Sequence, residues 1–161
     1  MKLDSLNDIK KQLNYLSHEE CVLLLLRLSK HKKENKELLN YLLQYAAQES
    51  DFIEAVLKEV RLAFASLHLE RGAYVFTKQV RKTLRLVNKY IKFSQQASTE
   101  IELLIGFCEL LKPFLLEPKP ITALLLIYDR QLIRIHKALT KLHEDIAYDY
   151  KSTIDQLQLG Q

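Results

Sequence analysis

Val80-Arg81-Lys82-Thr83-Leu84-Arg85-Leu86-Val87-Asn88-Lys89-Tyr90-Ile91-Lys92 carries two interleaved patterns in one stretch free of Gly, Pro and acidic residues. Val80, Leu84, Val87 and Ile91 recur at i, i+4, i+7 and i+11, the spacing of one helix face. Lys78, Lys82, Arg85, Lys89 and Lys92 recur at the same spacing on the nearly opposite face. The reading is an amphipathic helix with one face packed and the other wet.

The cations extend beyond that core. From Arg71 to Thr99 there are seven Lys or Arg and no Asp or Glu, whereas the whole chain has a net charge of +4, so the remainder sums to −3. Basicity is therefore local. A protein that coats nucleic acid non-specifically spreads its cations more widely, while a confined patch suits one acidic partner surface, a phosphate-bearing ligand, or nothing but solvent. Tyr74 falls near the basic face and Tyr90 at its margin, so cations and aromatics are also interleaved as a nucleic-acid surface would need. Only Arg81 and Arg85 supply the forked guanidinium used for reading bases, and Lys-rich faces serve phosphate attraction instead. The candidate contact surface is Tyr74, Lys78, Arg81, Lys82, Arg85, Lys89 and Lys92. Its expected partner is an acidic protein face, with phosphate contacts to nucleic acid as the alternative.

Outward from this segment, caps mark further helices. Ser5-Leu6-Asn7-Asp8 opens a first helix to about Tyr15, and Ser17-His18-Glu19-Glu20 reads as a capping box opening a second to about Lys30. Asn35 is placed to cap a third, with apolar positions Leu38, Leu39, Leu42, Leu43 and Ala46. A fourth runs from Ser50-Asp51 to about His68 through Phe52, Val56, Val60, Ala63 and Leu67. Gly72 separates it from the basic helix, where a residue free to take positive φ bends the chain. Ser98-Thr99-Glu100 starts a sixth helix ending at Lys112-Pro113, and mid-helix Gly106 predicts a close helix contact.

Pro118-Lys119-Pro120 is a stiff connection whose last proline suits the first turn of a seventh helix. The apolar series from Ile121 through Tyr128, Ile135 and Ile146 to Leu157 is unbroken by Gly or Pro. A continuous helix there would be about 55 Å long at ~1.5 Å per residue. A domain of this size is only about 40 Å across. The helix therefore breaks, expected near His143-Glu144-Asp145, or projects and offers its far end to a second copy of the chain.

With 161 residues, 48% apolar side chains and 27% charged ones, the chain fits a single helical domain over 1–161 with a core of its own. Three Gly and three Pro leave few tight turns, which favours helices over a β-fold. No repeat of 20 to 50 residues is present, and the likeness of Leu13-Asn14-Tyr15-Leu16 to Leu39-Asn40-Tyr41-Leu42 is too short to make one. The expected fold is all-α: about seven helices as successive antiparallel hairpins, in solenoid-like or bundle packing. Apolar segments such as Ile121 to Tyr128 fall short of the roughly 18 residues of a membrane span. Polar and acidic residues in Met1-Lys2-Leu3-Asp4-Ser5 do not read as a secretion signal. Cys21 and Cys108 each sit in an apolar helical pattern and are expected as buried thiols in a reducing cytoplasm.

Enzyme signatures were weighed residue by residue. His18 and Cys21 stand one helical turn apart, but zinc needs further ligands at comparable spacing and the other Cys is alone at 108. No Glu-x-x-His occurs, which removes a di-iron carboxylate bundle. Asp129, His136 and His143 lie two turns apart in succession, close to one line on the edge of the last helix's apolar face, and form the best acid-base candidate. A Gly-rich phosphate loop, a nucleophile elbow and a Cys-x-x-Cys pair are all missing from the sequence. No cofactor, metal or catalysis is expected.

The phrases Leu13 to Leu28, Lys36-Glu37-Leu38-Leu39 and Val80-Arg81-Lys82-Thr83 resemble those of a widespread set of small bacterial helical proteins known only as a domain of unknown function. The resemblance spans most of the chain. It implies a helical fold and brings no activity, cofactor or site residue with it. The expectation from sequence is a cytoplasmic binding or scaffold module.

Overall fold

The computed structural model describes residues 2–159, and the chain divides between Tyr45 and Ala46 into two compact units. Every regular element among the described residues is helical. The all-α expectation holds, with nine α-helices where about seven were expected.

The first unit holds α1 (Leu6–Leu13), α2 (His18–His31) and α3 (Lys33–Gln44). Local chemistry sets these elements well. Ser5 caps α1, its Oγ accepting from the Asp8 amide at 3.3 Å. The capping box at Ser17 is complete: the Glu20 amide donates to Ser17 Oγ at 3.2 Å, and the Ser17 amide donates to Glu20 Oε2 at 2.8 Å. That backbone hydrogen bond, aided by the Ser17 hydroxyl, holds the Glu20 carboxyl below its ordinary value.

Lys32 alone separates α2 from α3, in an extended conformation with φ −141° and ψ 145°. The two helices pair as a hairpin. Asn35 does not cap α3, contrary to the sequence reading, because Lys33 and Glu34 are already helical. Its side-chain amide instead donates to the Leu28 carbonyl of α2 at 2.9 Å, satisfying one of the acceptors that a helix end leaves open. Tyr41 is the one buried residue among the described residues of this unit. Cys21 is only half-buried, not the sequestered thiol expected.

The second unit runs from α4 (Glu49–Ala65) through α5 (Ala73–Ser94), α6 (Ala97–Leu111), α7 (Thr122–Leu139) and α8 (Glu144–Asp149) to α9 (Lys151–Leu157). Short 3-10 turns at Leu69–Arg71 and Lys112–Leu115 complete it. Gly72, at φ 96°, sets the entry to α5 in a backbone region L side chains rarely adopt. Gln95 takes the left-handed conformation at the exit. Its N–H donates to the Ile91 carbonyl at 3.0 Å, closing the last turn.

Helix α6 is the centre of this unit. Its sequence Ile101-Glu102-Leu103-Leu104-Ile105-Gly106-Phe107-Cys108 is apolar nearly all round, the signature of a helix covered on every side. It packs against α4, α5, α7 and α9. Ile101, Leu103, Leu104, Phe107, Cys108 and Leu111 are fully buried. A Cβ on Gly106 would overlap Leu57 Cδ2, so the glycine is what lets α4 approach α6. Phe64 of α4 meets Phe107 edge-on at 5.5 Å between ring centroids. Burial, with a smaller contribution from Glu109, pushes the Cys108 thiol up to about 12.

Polar groups inside this unit are paired. Glu49 Oε2 accepts from Ser94 Oγ at 2.9 Å and from buried Thr99 Oγ1 at 2.6 Å, tying the start of α4 to the α5–α6 junction. Arg134 of α7 donates to Asn88 Oδ1 at 2.7 Å, Gln131 Oε1 at 3.0 Å and Glu100 Oε1 at 2.9 Å. One guanidinium thereby joins α5, α6 and α7.

The C-terminal apolar series breaks as expected. Helix α7 ends at Leu139, and His143 opens α8, its Nδ1 accepting from the Asp145 amide at 3.4 Å. The chain then folds back, so α9 lies on α6 with Ile154 and Leu157 buried. Tyr128 OH donates to the Leu157 carbonyl at 2.6 Å, and Tyr150 OH donates to Glu102 Oε1 at 3.0 Å. Burial drives the Tyr128 phenol well above its ordinary value. Among the described residues α7 therefore ends at Leu139 and does not run on to Leu157 as one rod.

Candidate functional site

Helix α5 turns its two stripes as the spacing requires. Val80 and Val87 are fully buried and Leu84 and Ile91 half-buried, which fixes the helix's rotation about its axis. Tyr74, Lys78, Arg81, Lys82, Arg85 and Lys92 are consequently exposed, and Lys89 is half-exposed. Among the described residues, Lys78, Arg81, Lys82, Arg85 and Lys92 make no salt bridge. Internal pairing with the acidic C-terminal segment, which would have consumed the stripe, is absent for these five. Lys89 behaves differently: its Nζ lies 4.3 Å from the centroid of the Tyr90 ring.

The stripe does not stand on a flat surface. Its inner edge forms one wall of a groove between α4 and α5, with a volume of about 770 Å³. On the α5 side lie Gln79, Lys82, Thr83, Arg85, Leu86 and Lys89. The α4 side supplies Glu59, Leu62 and Ala63 at i, i+3 and i+4 on one face of the helix, with Ser66 and Leu67 just past its end. Leu62 is 65% exposed, an apolar side chain held open in the groove. The polar wall groups are largely engaged. Ser66 Oγ donates to the Ala63 carbonyl at 2.8 Å, Gln79 Oε1 accepts from the His68 amide at 3.5 Å, and Tyr90 OH donates to Glu59 Oε2 at 2.8 Å. What remains available is an apolar floor with cations along one rim.

Sequence reading found the α5 wall and, on the opposite α4 wall, named Ala63 and Leu67 as apolar positions but missed Leu62 and Glu59. Leu62 lies off the α4 stripe of Phe52, Val56 and Val60, so its one local signal was an apolar residue out of register. The pairing of that wall with the cations is a long-range property that no helical period encodes. Tyr74, at 80% exposed, sits at the N-terminal start of α5 beside Lys78 and outside the groove lining.

The other candidates are not brought together. Asp129, His136 and His143 are all exposed, and the break after Leu139 puts His143 off the helix that carries the other two, at the cap of α8. The expected single line along one helix is therefore interrupted. Cys21 and Cys108 are free thiols. Among the described residues, no group of His, Cys, Asp and Glu is placed to hold a metal ion. No helix among them is long and apolar enough to cross a membrane. The chain matches no family model, no curated protein and no solved structure.

Proposed function

We propose that this protein is a cytoplasmic binding module whose α4–α5 groove receives an amphipathic helical segment of a partner protein, apolar on one face and acidic on its flank. The observation that carries this reading is the coincidence of two features in one groove: exposed Lys82 and Arg85 on the rim, and Leu62, Ala63, Leu67 and Leu86 beneath them. A helix laid in such a groove anchors apolar residues spaced at i, i+3/i+4 and i+7 in the floor. Carboxylates beside those anchors meet the rim cations. Complementary charge of this kind speeds encounter and fixes register more than it adds affinity.

The alternative is nucleic acid held by phosphate contacts, and exposed Tyr74 with Lys78 one turn away favours it at the outer end of the stripe. The groove itself argues the other way. Its apolar floor gives a phosphate nothing.

Titrating the chain into a fluorescently labelled amphipathic peptide with Leu at helical spacing and Glu beside it, followed by anisotropy, tests the reading. Saturable binding is expected, weakened about tenfold or more by Lys82→Glu with Arg85→Glu. The double change Tyr74→Ala with Lys78→Glu should leave peptide binding within about twofold of the parent, since neither residue lines the groove. Binding of a single-stranded oligonucleotide in place of the peptide, steeply salt-dependent and lost with Tyr74→Ala and Lys78→Glu, would transfer the assignment to nucleic acid. Absence of peptide binding, or binding indifferent to the rim charges, refutes the proposal.

A further inference from the structure

The groove leaves unexplained a second surface, made of other residues. Helix α2 contains Cys21-Val22-Leu23-Leu24-Leu25-Leu26-Arg27-Leu28, apolar nearly all round. A helix of that kind is ordinarily covered on every side. Here every residue from Val22 to Leu28 is exposed, with Leu23 at 65% and Leu26 at 49%. The hairpin with α3 shelters Cys21 and Ser29 more than these residues, so the side of α2 carrying Leu23 and Leu26 is open. Contiguous apolar surface of this extent marks an interaction site on a soluble chain.

The sequence of that open face is close to a palindrome of chemistry. Glu19, Leu23, Leu26 and Lys30 fall at i, i+4, i+7 and i+11, in one line along the helix. Reversed end for end about a point between Leu24 and Leu25, Leu23 exchanges with Leu26 and Glu19 with Lys30. Two copies of α2 laid antiparallel across a twofold axis at that point thus set leucine on leucine in the middle and carboxylate against ammonium at both ends. An isologous interface requires this self-complementarity, because the same patch must serve both sides.

We propose that the chain forms a closed homodimer through antiparallel pairing of α2 with the α2 of a second copy. Leu23 packs on Leu26 of the partner subunit, and Glu19 pairs with Lys30 of the partner subunit. The two hairpins are then joined through α2, with the α3 of each copy on the outside, and the leucines that one hairpin leaves in water gain cover. Glu19 in the first turn and Lys30 in the last already suit the macrodipole of an isolated helix; what a second copy alone adds is that each then depends on the sign of the other. The inference is independent of the α4–α5 groove and stands or falls without it.

Sedimentation velocity of the full chain across micromolar concentrations is the direct test. A monomer–dimer equilibrium is expected. Leu23→Glu with Leu26→Glu should abolish the dimer, while circular dichroism checks that helicity survives. The decisive variants are charge reversals that fold in isolation from the apolar change. Glu19→Lys alone and Lys30→Glu alone should each raise the dimer dissociation constant about tenfold, since like charges then meet at both ends. Combining them should restore it to within about threefold of the parent.

Within one helix these residues are about 16 Å apart, at ~1.5 Å per residue. That is beyond the ~10 Å screening length of moderate salt. Each reversal also opposes the helix macrodipole, so an isolated helix carrying both is worse off than with either. Rescue therefore reports contact between copies. A chain that stays monomeric throughout, associates beyond two, associates only on lipid vesicles, or is weakened further by the double reversal overturns the proposal.

Discussion

Two regions of this chain use the same local rules and end with very different interiors. Residues 46–159 bury α6 from all sides, with Phe107, Leu104 and Ile101 fully enclosed and polar groups such as Thr99 and Arg134 tied into networks. The α1–α3 region has the better caps, a Ser5 cap and a complete capping box at Ser17, yet buries only Tyr41 among its described residues. Caps and propensity decide where helices start and stop, each at a fraction of a kcal/mol to about 2 kcal/mol. Burial of large side chains contributes roughly 1.5–3 kcal/mol apiece and decides which helices stay put. The lesson is that helix definition and helix stability come from different residues.

The sharpest way to break this comparison is to damage one core and watch the other region. Phe107→Ala removes a fully buried ring in edge contact with Phe64, and should cost about 3–5 kcal/mol in urea unfolding followed by far-ultraviolet circular dichroism. Amide hydrogen exchange should show protection in α4–α7 falling by that amount, while the weaker protection of α1–α3 stays unchanged. Equal loss in both regions would mean that they unfold as one body, and the contrast drawn above would fail.

A smaller effect with a decisive sign comes from Gly106. In an exposed helix, Gly→Ala raises stability by about 1 kcal/mol through propensity alone. At Gly106 the added methyl meets the Cδ2 tip of half-buried Leu57, which must turn aside, so Gly106→Ala is expected to forfeit that gain and to cost up to about 1 kcal/mol at the α4–α6 contact. Combining it with Leu57→Ala should recover part of that loss, because the obstructing atoms are gone. A Gly106→Ala protein stabilised by the full propensity gain would show that Leu57 turns aside at no cost.

What the sequence made legible follows the same division. Periodicity within one helix was enough to orient α5, since Val80 and Val87 could only be buried by turning Lys82 and Arg85 outward. A lone glycine in an apolar run was enough to foresee a close helix contact, though not that α4 makes it, and the length of the C-terminal series left a break near His143-Glu144-Asp145 or a projecting end, of which the break is found. Asn35 misled because a residue of capping type can serve the preceding helix as well as its own, and only the tight Lys32 junction decided between them. The groove was half legible: the cations were plain in α5, whereas Leu62 and Glu59 belong to another helix whose approach no local pattern encodes. Cys21, in the Leu-rich run of α2, read as a buried thiol, because apolarity predicts that a side chain wants cover and not which surface supplies it. The Arg134 cluster spans three helices and left no signal at all.

The smallest effect bears on the coreless side of the comparison. If α2 owes its start to local chemistry, Ser17→Ala should weaken it by about 1 kcal/mol, since the Glu20 amide loses its side-chain acceptor. About a fivefold rise in the opening equilibrium of the first turn follows from that energy, read as reduced helical Cα chemical shifts at residues 18–21, with α6 unaffected. Acidification gives an orthogonal check with a defined sign. Glu20 is held below its ordinary value of 4.5 by the Ser17 backbone hydrogen bond, so its contribution is present above that value and fades as pH falls through the lowered one. The same chemical shifts should therefore relax toward coil on acidification in the parent. Because Ser17→Ala keeps the backbone donor to Glu20 and loses only the hydroxyl, the variant should retain most of this pH dependence. A variant whose first turn no longer responds to pH would show that the hydroxyl, and not the backbone N–H, anchors the carboxylate.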